Sequence, residues 1–212
     1  MGWITTTIYD VLIVGAGPAG LFTAYELIRW SRGRLKILVV EQGIRAIQRR
    51  CPLTSNVGDR EREVKPGKCI LCRPCHVMQG VGGAGALSSG TINLRPDIGG
   101  ELHRLIGSWV YAEKLIHYID QVFVEFGAPR DRLYRVDDER VNELERLAAK
   151  AGAKFIPTPQ RHIGSENTPR VIENMTRYLE DSGVEFLLST RALDVVKNDG
   201  LFNVETSRGV FT

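Results

Sequence analysis

Two groups of residues in this chain have types and spacings that could do chemistry. The first is Gly15-Ala16-Gly17-Pro18-Ala19-Gly20, a G-x-G-x-x-G run. At this spacing Gly15 permits a tight turn, Gly17 leaves the backbone open to a diphosphate, and Gly20 lets a helix pack closely on a strand. A helix opening at Pro18 would aim unpaired N–H groups and positive partial charge at that anion. Glu41 follows 21 positions after Gly20, where a carboxylate can accept hydrogen bonds from ribose hydroxyls. The second group is Cys51, Cys69, Cys72 and Cys75, all the cysteines of the chain, within 25 residues. Cys-x-x-Cys-x-x-Cys with a remote Cys51-Pro52 matches the thiolate pattern of a four-iron cluster. Zinc held by four thiolates, or by three with His76, competes with it. A redox dithiol and a set of unligated thiols are further readings, and the spacing alone leaves all of them open.

These groups need elements to position them. Tyr9 to Val14 is a nearly continuous apolar run ending at glycine, which predicts a strand buried on both faces of a parallel sheet. Pro18 to Trp30 then predicts a helix, with Leu21, Ala24, Tyr25 and Ile28 on one face and Gly33 beyond its end. Leu35 to Val40 predicts a second buried strand leading into Glu41 and Gln42, so residues 1–43 form one right-handed βαβ unit. The fingerprint therefore has the context it needs: strand before, helix after, acid at the next strand's end.

Residues 44–100 hold the cysteines and the glycine-dense stretch 80–90, and predict loop with short ordered pieces. A helical insertion over 101–182 follows. Ala112, Leu115, Ile116, Ile119, Val122, Phe123 and Phe126 trace one face, and Val141, Leu144 and Ala148 trace another on a helix from Asp138 to Ala151. Lys154 to Pro157 predicts a short strand. Thr168 with Pro169 predicts a hydroxyl-capped helix to Ser182, with Val171, Ile172, Met175 and Leu179 inward. Over 183–212, Val184 to Leu188 predicts a third parallel strand. Ala192 to Val196 and Leu201 to Thr206 predict a hairpin around Asn198-Asp199-Gly200, and Val210 to Thr212 begins a third antiparallel strand.

YDVLIVGAGPAGLFTAYEL followed by ILVVEQG resembles the N-terminal FAD-binding segment of two-dinucleotide-binding-domain flavoproteins. The stretch CHVMQGVGGAGALSSGTINL (75–94), after a cysteine-rich loop, resembles FAD-dependent dehydrogenases of that superfamily. The resemblance implies an α/β, Rossmann-like FAD/NAD(P)-binding domain with a parallel sheet and an incomplete antiparallel β-meander. It implies FAD as cofactor, with NAD(P)H as an electron donor, and oxidoreductase (dehydrogenase) activity on a substrate the sequence does not name. It assigns the ADP half to Gly15, Gly17, Pro18, Ala19, Gly20, Glu41 and Gln42, the flavin ring to Gly82, Gly83 and Ala84, and an adenine contact to Ala192. Family members continue past the equivalent of Thr212 with a strand closing the meander, a distal Gly-Asp motif and a substrate domain. The chain thus corresponds to their front part, and a partner chain completing the flavin domain is one expectation. A non-catalytic dinucleotide-binding subunit and an NAD(P)-binding protein without flavin are the alternatives.

Composition narrows the class. The chain has 212 residues, 43% hydrophobic and 25% charged, with a formal net charge of +3. That charge is too mild to predict nucleic-acid binding. No apolar run is long enough to predict a membrane span, and the N-terminus lacks the basic start of a signal peptide, so a cytoplasmic location is expected. His103, His117 and His162 have no partner at ligand spacing and read as ordinary histidines. Arg45, Arg49, Arg50, Arg60, Arg62, Lys65, Lys68 and Arg73 read as a solvated basic loop diluted by Asp59, Glu61 and Glu63. Asp137, Asp138 and Glu139 read as an acidic helix start. Ser88 and Ser89 have no base in view. No catalytic residue is assigned.

Overall fold

The computed structural model describes residues 8–52, 69–136 and 138–212. In chain order the elements are β1 (Val11–Val14), α1 (Pro18–Ser31), β2 (Ile37–Val40), β3 (Thr91–Asn93), α2 (Leu102–Ile106), α3 (Trp109–Glu125), β4 (Leu133–Tyr134), α4 (Asp138–Lys150), β5 (Gln160–His162), α5 (Thr168–Asp181), β6 (Val184–Leu187), β7 (Ala192–Asn198), β8 (Leu201–Thr206) and β9 (Gly209–Phe211), with single 3-10 turns at Ala46–Gln48 and Ala84–Leu87. They divide into two compact units, 1–87 with 172–212, and 88–171.

The first unit holds a parallel sheet in the order β1-β2-β6, with Val11 beside Ile37 and Ile37 beside Val184. β2 is central, and all four of its residues are buried. β1 departs from the expected two-sided burial. It lies at the sheet edge, only Ile13 is fully buried, and Val14 is 57% exposed. An apolar run declares a preference for the interior but not how many neighbours a strand will have. Leu21, Ala24, Tyr25 and Ile28 of α1 are buried, as its periodicity requires. On α5, Ile172, Met175 and Leu179 are buried too. Each such aliphatic side chain contributes roughly 2 kcal/mol on burial.

The same unit carries the meander β7-β8-β9. Asp199 (φ 48°) and Gly200 (φ 85°) form the two-residue hairpin turn, both left-handed as a type I′ turn demands. β7 and β8 leave Leu193, Val195, Leu201 and Phe202 exposed.

The second unit is built on a small antiparallel sheet in the order β3-β5-β4. Its strands have two or three residues, too short for periodicity to reveal. The strand expected over Lys154 to Pro157 is absent, and the chain there is irregular. Ala128, Ile163 and Val171 form its core, with Ile92, Phe123, Val124 and Phe126 packed on them. α3 runs as expected but also buries Asp120, whose carboxylate pairs with the buried Arg161 guanidinium (Nη2 to Oδ2, 2.9 Å). α4 differs from expectation, because Leu144 is 46% and Leu147 49% exposed. Its pattern marks an apolar face that the described residues do not cover. Thr168 also differs. Its hydroxyl donates to the Gly164 carbonyl (2.8 Å) instead of accepting as an N-cap.

Candidate functional site

The sequence between β1 and α1 folds as a turn whose geometry follows from its glycines. Gly15 has φ +98°, a value that disfavours any side chain, and its N–H bonds the Val40 carbonyl (2.8 Å). A Cβ at Gly20 would fall onto the Gly15 carbonyl oxygen, with Gly15 C at 3.1 Å and Ile13 Cγ2 at 3.3 Å. Gly20 is therefore demanded by packing. Gly17 is different. It caps α1 in ordinary extended backbone (φ −70°, ψ −179°), and a Cβ there would meet nothing within 4 Å. No steric need of the chain itself explains that glycine.

The front of α1 is electrostatically unanswered. It has no side-chain cap and no acidic residue in its first turn, and Pro18 stands at its start. The first helical bond runs from Leu21 N–H to Gly17 O (3.0 Å). The N–H groups of Ala19 and Gly20 precede it and have no carbonyl one turn back to bond. An anion in the open space beside Gly17 would meet both, together with the positive end of the helix.

Glu41 closes this turn from behind. It is buried, and its carboxylate accepts from Ala16 N–H (2.8 Å), Gly43 N–H (2.8 Å) and Gly80 N–H (3.0 Å). Three of its roughly four acceptor positions are thus taken by backbone. Sequence reasoning assigned Glu41 to a ribose and missed this second task, for which it offers no signal. Gln42 beside it is exposed. Ser189 N–H bonds Gly43 O and Thr190 N–H bonds Glu41 O (both 2.9 Å), which ties the residues just before β7, whose first residue is the half-buried Ala192, to those just after β2.

The glycine stretch returns to the same place. Gly82 N–H bonds the Ala16 carbonyl (2.8 Å), and a Cβ on Gly83 would lie 3.3 Å from Pro18 Cδ and 3.4 Å from Gly17 Cα. A Cβ on Gly43 would come within 2.5 Å of Gly80 Cα, so two backbones cross there in contact. Ala84 follows, exposed, at the start of the 3-10 turn. The structure therefore brings Gly82 and Gly83 together with Gly15 to Gly20 and Glu41.

Arg49 fixes this arrangement and corrects the reading of the basic residues as a solvated face. It is 3% exposed and donates to the carbonyls of His76 (2.8 Å), Val77 (2.8 Å), Val81 (2.9 Å) and Gly83 (2.7 Å). Burial pulls its guanidinium below the ordinary arginine range, opposed by the nearby Glu41 carboxylate and Cys75. Arg45 is likewise engaged, bridging Glu180 (2.7 Å) and buried Glu173 (2.9 Å). Those hydrogen bonds, to Glu180 and then Glu173, hold it above its usual range. Arg50 and Arg73 are exposed as expected, whereas Arg60, Arg62, Lys65, Lys68, Asp59, Glu61 and Glu63 lie outside the described residues, as does Asp137.

No disulfide joins the four cysteines. All four line one cavity of about 430 Å³, together with Arg73 and His76. Among the described residues, no group of three or more His, Cys, Asp or Glu side chains is placed to hold a metal ion. His103, His117 and His162 do not line that cavity. His162 lies on β5, its ring 4.7 Å from that of Tyr134, and His103 lies on α2, 4.9 Å from Trp109. Among the described residues no helix is long and apolar enough to cross a membrane.

No protein-family profile and no curated protein sequence matches the chain. Solved structures do. Glycine oxidase from Geobacillus kaustophilus is similar at 15% identity with a TM-score of 0.50, over 97% of this chain and 53% of that one. The amino acid oxidase NikD matches at 12% identity and TM-score 0.49, over 97% of this chain and 49% of that one. The open form of a flavocytochrome c3 fumarate reductase matches at 16% and 0.48, over 96% and 31%. The chain spans about half the length of the glycine oxidase it matches. Together with the parallel sheet, the fingerprint turn and the meander, that similarity makes this an α/β, Rossmann-like fold of the kind found in that oxidase.

Proposed function

We propose that the chain is the FAD-binding portion of a flavin-dependent oxidoreductase. One observation carries this reading. Gly17 faces open space at the uncapped, acid-free front of α1, although nothing in the chain forbids a side chain there. A diphosphate is the ligand that uses such a vacancy together with two free N–H groups. Gly15, Gly17, Pro18, Ala19 and Gly20 would surround it, Glu41 would offer its remaining acceptor position to a ribose hydroxyl, and Gln42 and Ala192 would flank the adenosine. Gly82, Gly83 and Ala84, held against Gly17 and Pro18, would carry the backbone toward the flavin ring. The negative charge of Glu41 disfavours a 2′-phosphate at the same ribose. Bound flavin supplies the electron-transfer chemistry, and the chain's residues bind and orient it.

FAD in preference to NAD is supported by the resemblance of residues 10–43 to flavoprotein sequences and by fold similarity to an oxidase. Dehydrogenase activity with NAD(P)H as donor is the finer form of the reading. The apolar faces of β7 and β8 favour a further polypeptide, or a partner chain, completing the domain. A chain of this size with all its cysteines in one stretch suits a cytoplasmic location better than a disulfide-stapled secreted one.

Equilibrium titration of the purified full chain with FAD, NAD and ADP tests the reading. FAD binding at micromolar Kd or tighter is expected, with weaker NAD binding. Saturation by NAD and indifference to FAD would replace it with the flavin-free alternative. A chain that takes up FAD only when its completing polypeptide is supplied would establish the subunit form.

A further inference from the structure

The cysteine cavity is not used by the nucleotide site, and its chemistry is specific enough to name an occupant. Leu71 adopts a left-handed φ of 53°, turning the chain between Cys69 and Cys72, and both line the same cavity. Cys75 follows three residues on, and Cys51 lines the cavity too. We infer that this cavity is the seat of a four-iron, four-sulfur cluster bound by Cys51, Cys69, Cys72 and Cys75.

Size favours this over a single ion. A zinc site draws its thiolates to about 2.3 Å from one point. Here the four cysteines line one space of about 430 Å³, roomier than a single ion needs. A polynuclear core sets its thiolate ligands apart by the width of the inorganic cube, with one cysteine at each iron. The spacing agrees, since Cys-x-x-Cys-x-x-Cys with a distant Cys-Pro is the bacterial ferredoxin order.

The surroundings agree as well. Ile70, Leu71 and Met78 are 66%, 77% and 60% exposed, an unfavourable display for apolar side chains on one short loop. A compact core gives the loop something to close on, and apolar side chains are a shell that tunes such a cluster. The cluster with four thiolates carries net negative charge. Arg73 lines the cavity, and the buried Arg49 guanidinium holds the adjacent carbonyls of His76 and Val77. Gln79 Oε1 accepts from Cys75 N–H (2.9 Å), and the Cys75 carbonyl accepts from Met78 and Gln79 N–H (3.1 and 2.8 Å), which fixes the third ligand's backbone before any metal arrives.

The test uses the full chain, purified anaerobically and reconstituted with equal amounts of ferric and ferrous iron and with sulfide, so that two Fe(III), two Fe(II) and four sulfides make up the oxidised core. About four iron and about four acid-labile sulfide per chain are expected, with visible absorption that dithionite bleaches. All four thiols should resist iodoacetamide until the iron is chelated. Cys51→Ser and Cys72→Ser should each lose most of the iron while keeping the parent's far-UV dichroism. If either variant fails to fold, thiol protection in the unaltered chain decides. About one zinc per chain without sulfide, iron without labile sulfide, iron retained by both variants, or thiols alkylated equally with and without iron would each overturn the inference. It stands apart from the flavin reading. A chain that binds FAD but no cluster refutes only this inference, and one that binds the cluster but no FAD refutes only the other.

Discussion

Replacing Gly17 with valine asks whether the open space in front of α1 is meant for a ligand. Gly17 has φ −70° and ψ −179°, backbone that a β-branched residue adopts without strain, and its Cβ would have no neighbour within 4 Å. The flavin-free variant should therefore match the parent in stability to within about 0.5 kcal/mol. The nucleotide should not tolerate it. The valine methyls would displace a diphosphate from the N–H groups of Ala19 and Gly20, and hydrogen bonds to a charged partner are each worth about 1.5–3 kcal/mol. Losing two costs about 3–6 kcal/mol, which weakens Kd about 100-fold or more. Calorimetric titration with FAD, beside thermal unfolding without it, reads both quantities. Gly20→Ala is the contrast. Its Cβ would fall onto the Gly15 carbonyl, so the loss should appear as about 1–3 kcal/mol of stability before any nucleotide is added. Unchanged FAD affinity in Gly17→Val would refute the diphosphate argument, and a destabilised flavin-free Gly17→Val would refute the geometry beneath it.

Arg49→Met strands four carbonyls of the 76–83 segment and should cost about 3–5 kcal/mol in urea unfolding; a loss below about 1 kcal/mol would mean that the guanidinium is not what holds the stretch. Glu41→Gln keeps one acceptor oxygen for three N–H donors and should cost about 2–3 kcal/mol without flavin as well as weakening its binding. An effect on binding alone would leave ribose recognition as its sole task. Tyr9 is pushed up to about 12, first by burial and then by its hydrogen bond to Glu185 (2.8 Å). Because the folded value lies above the unfolded one, the neutral form is favoured by folding. Its contribution should be complete below about pH 10 and fade as pH rises to about 12. Tyrosinate absorbance should show a late-titrating component that is gone in Tyr9→Phe, and an unchanged titration in that variant would count against the contact.

What the sequence made legible was local. Ile37 to Val40 is apolar at every position and is the central strand, buried at every position. Val171, Ile172, Met175 and Leu179 recur at helical spacing and are all buried on α5. The failures share one cause. Val14 and Leu144 have the same apolar character as their buried counterparts, yet they are exposed, because burial needs a second surface that periodicity does not describe. Arg49 looked like seven other basic residues around it, and Asp120 like any polar position on a helix. Each is buried because of partners far away in sequence, a guanidinium at Arg161 or carbonyls from 76 to 83. At the candidate site the fingerprint glycines were legible because their spacing falls between a strand and a helix, although only Gly15 and Gly20 answer a local steric need and Gly17 does not. The double duty of Glu41 was not, since Gly80 lies 39 residues away.

Glu41 and Arg49 explain how a stretch with little regular structure can serve a nucleotide at all. A buried loop must satisfy its backbone groups without a ladder. Here a buried carboxylate collects N–H donors from three segments, and a buried guanidinium collects four carbonyls from one. The two charges also favour one another, offsetting part of the burial cost of each. The outcome is that Gly80 to Gly83 is set against Gly17 by side chains before any ligand arrives. Binding then need not order this loop, so the entropy that a free glycine-rich segment would lose is already spent in folding. Rigidity at the most glycine-dense part of the chain is thus a consequence of two charged residues outside it.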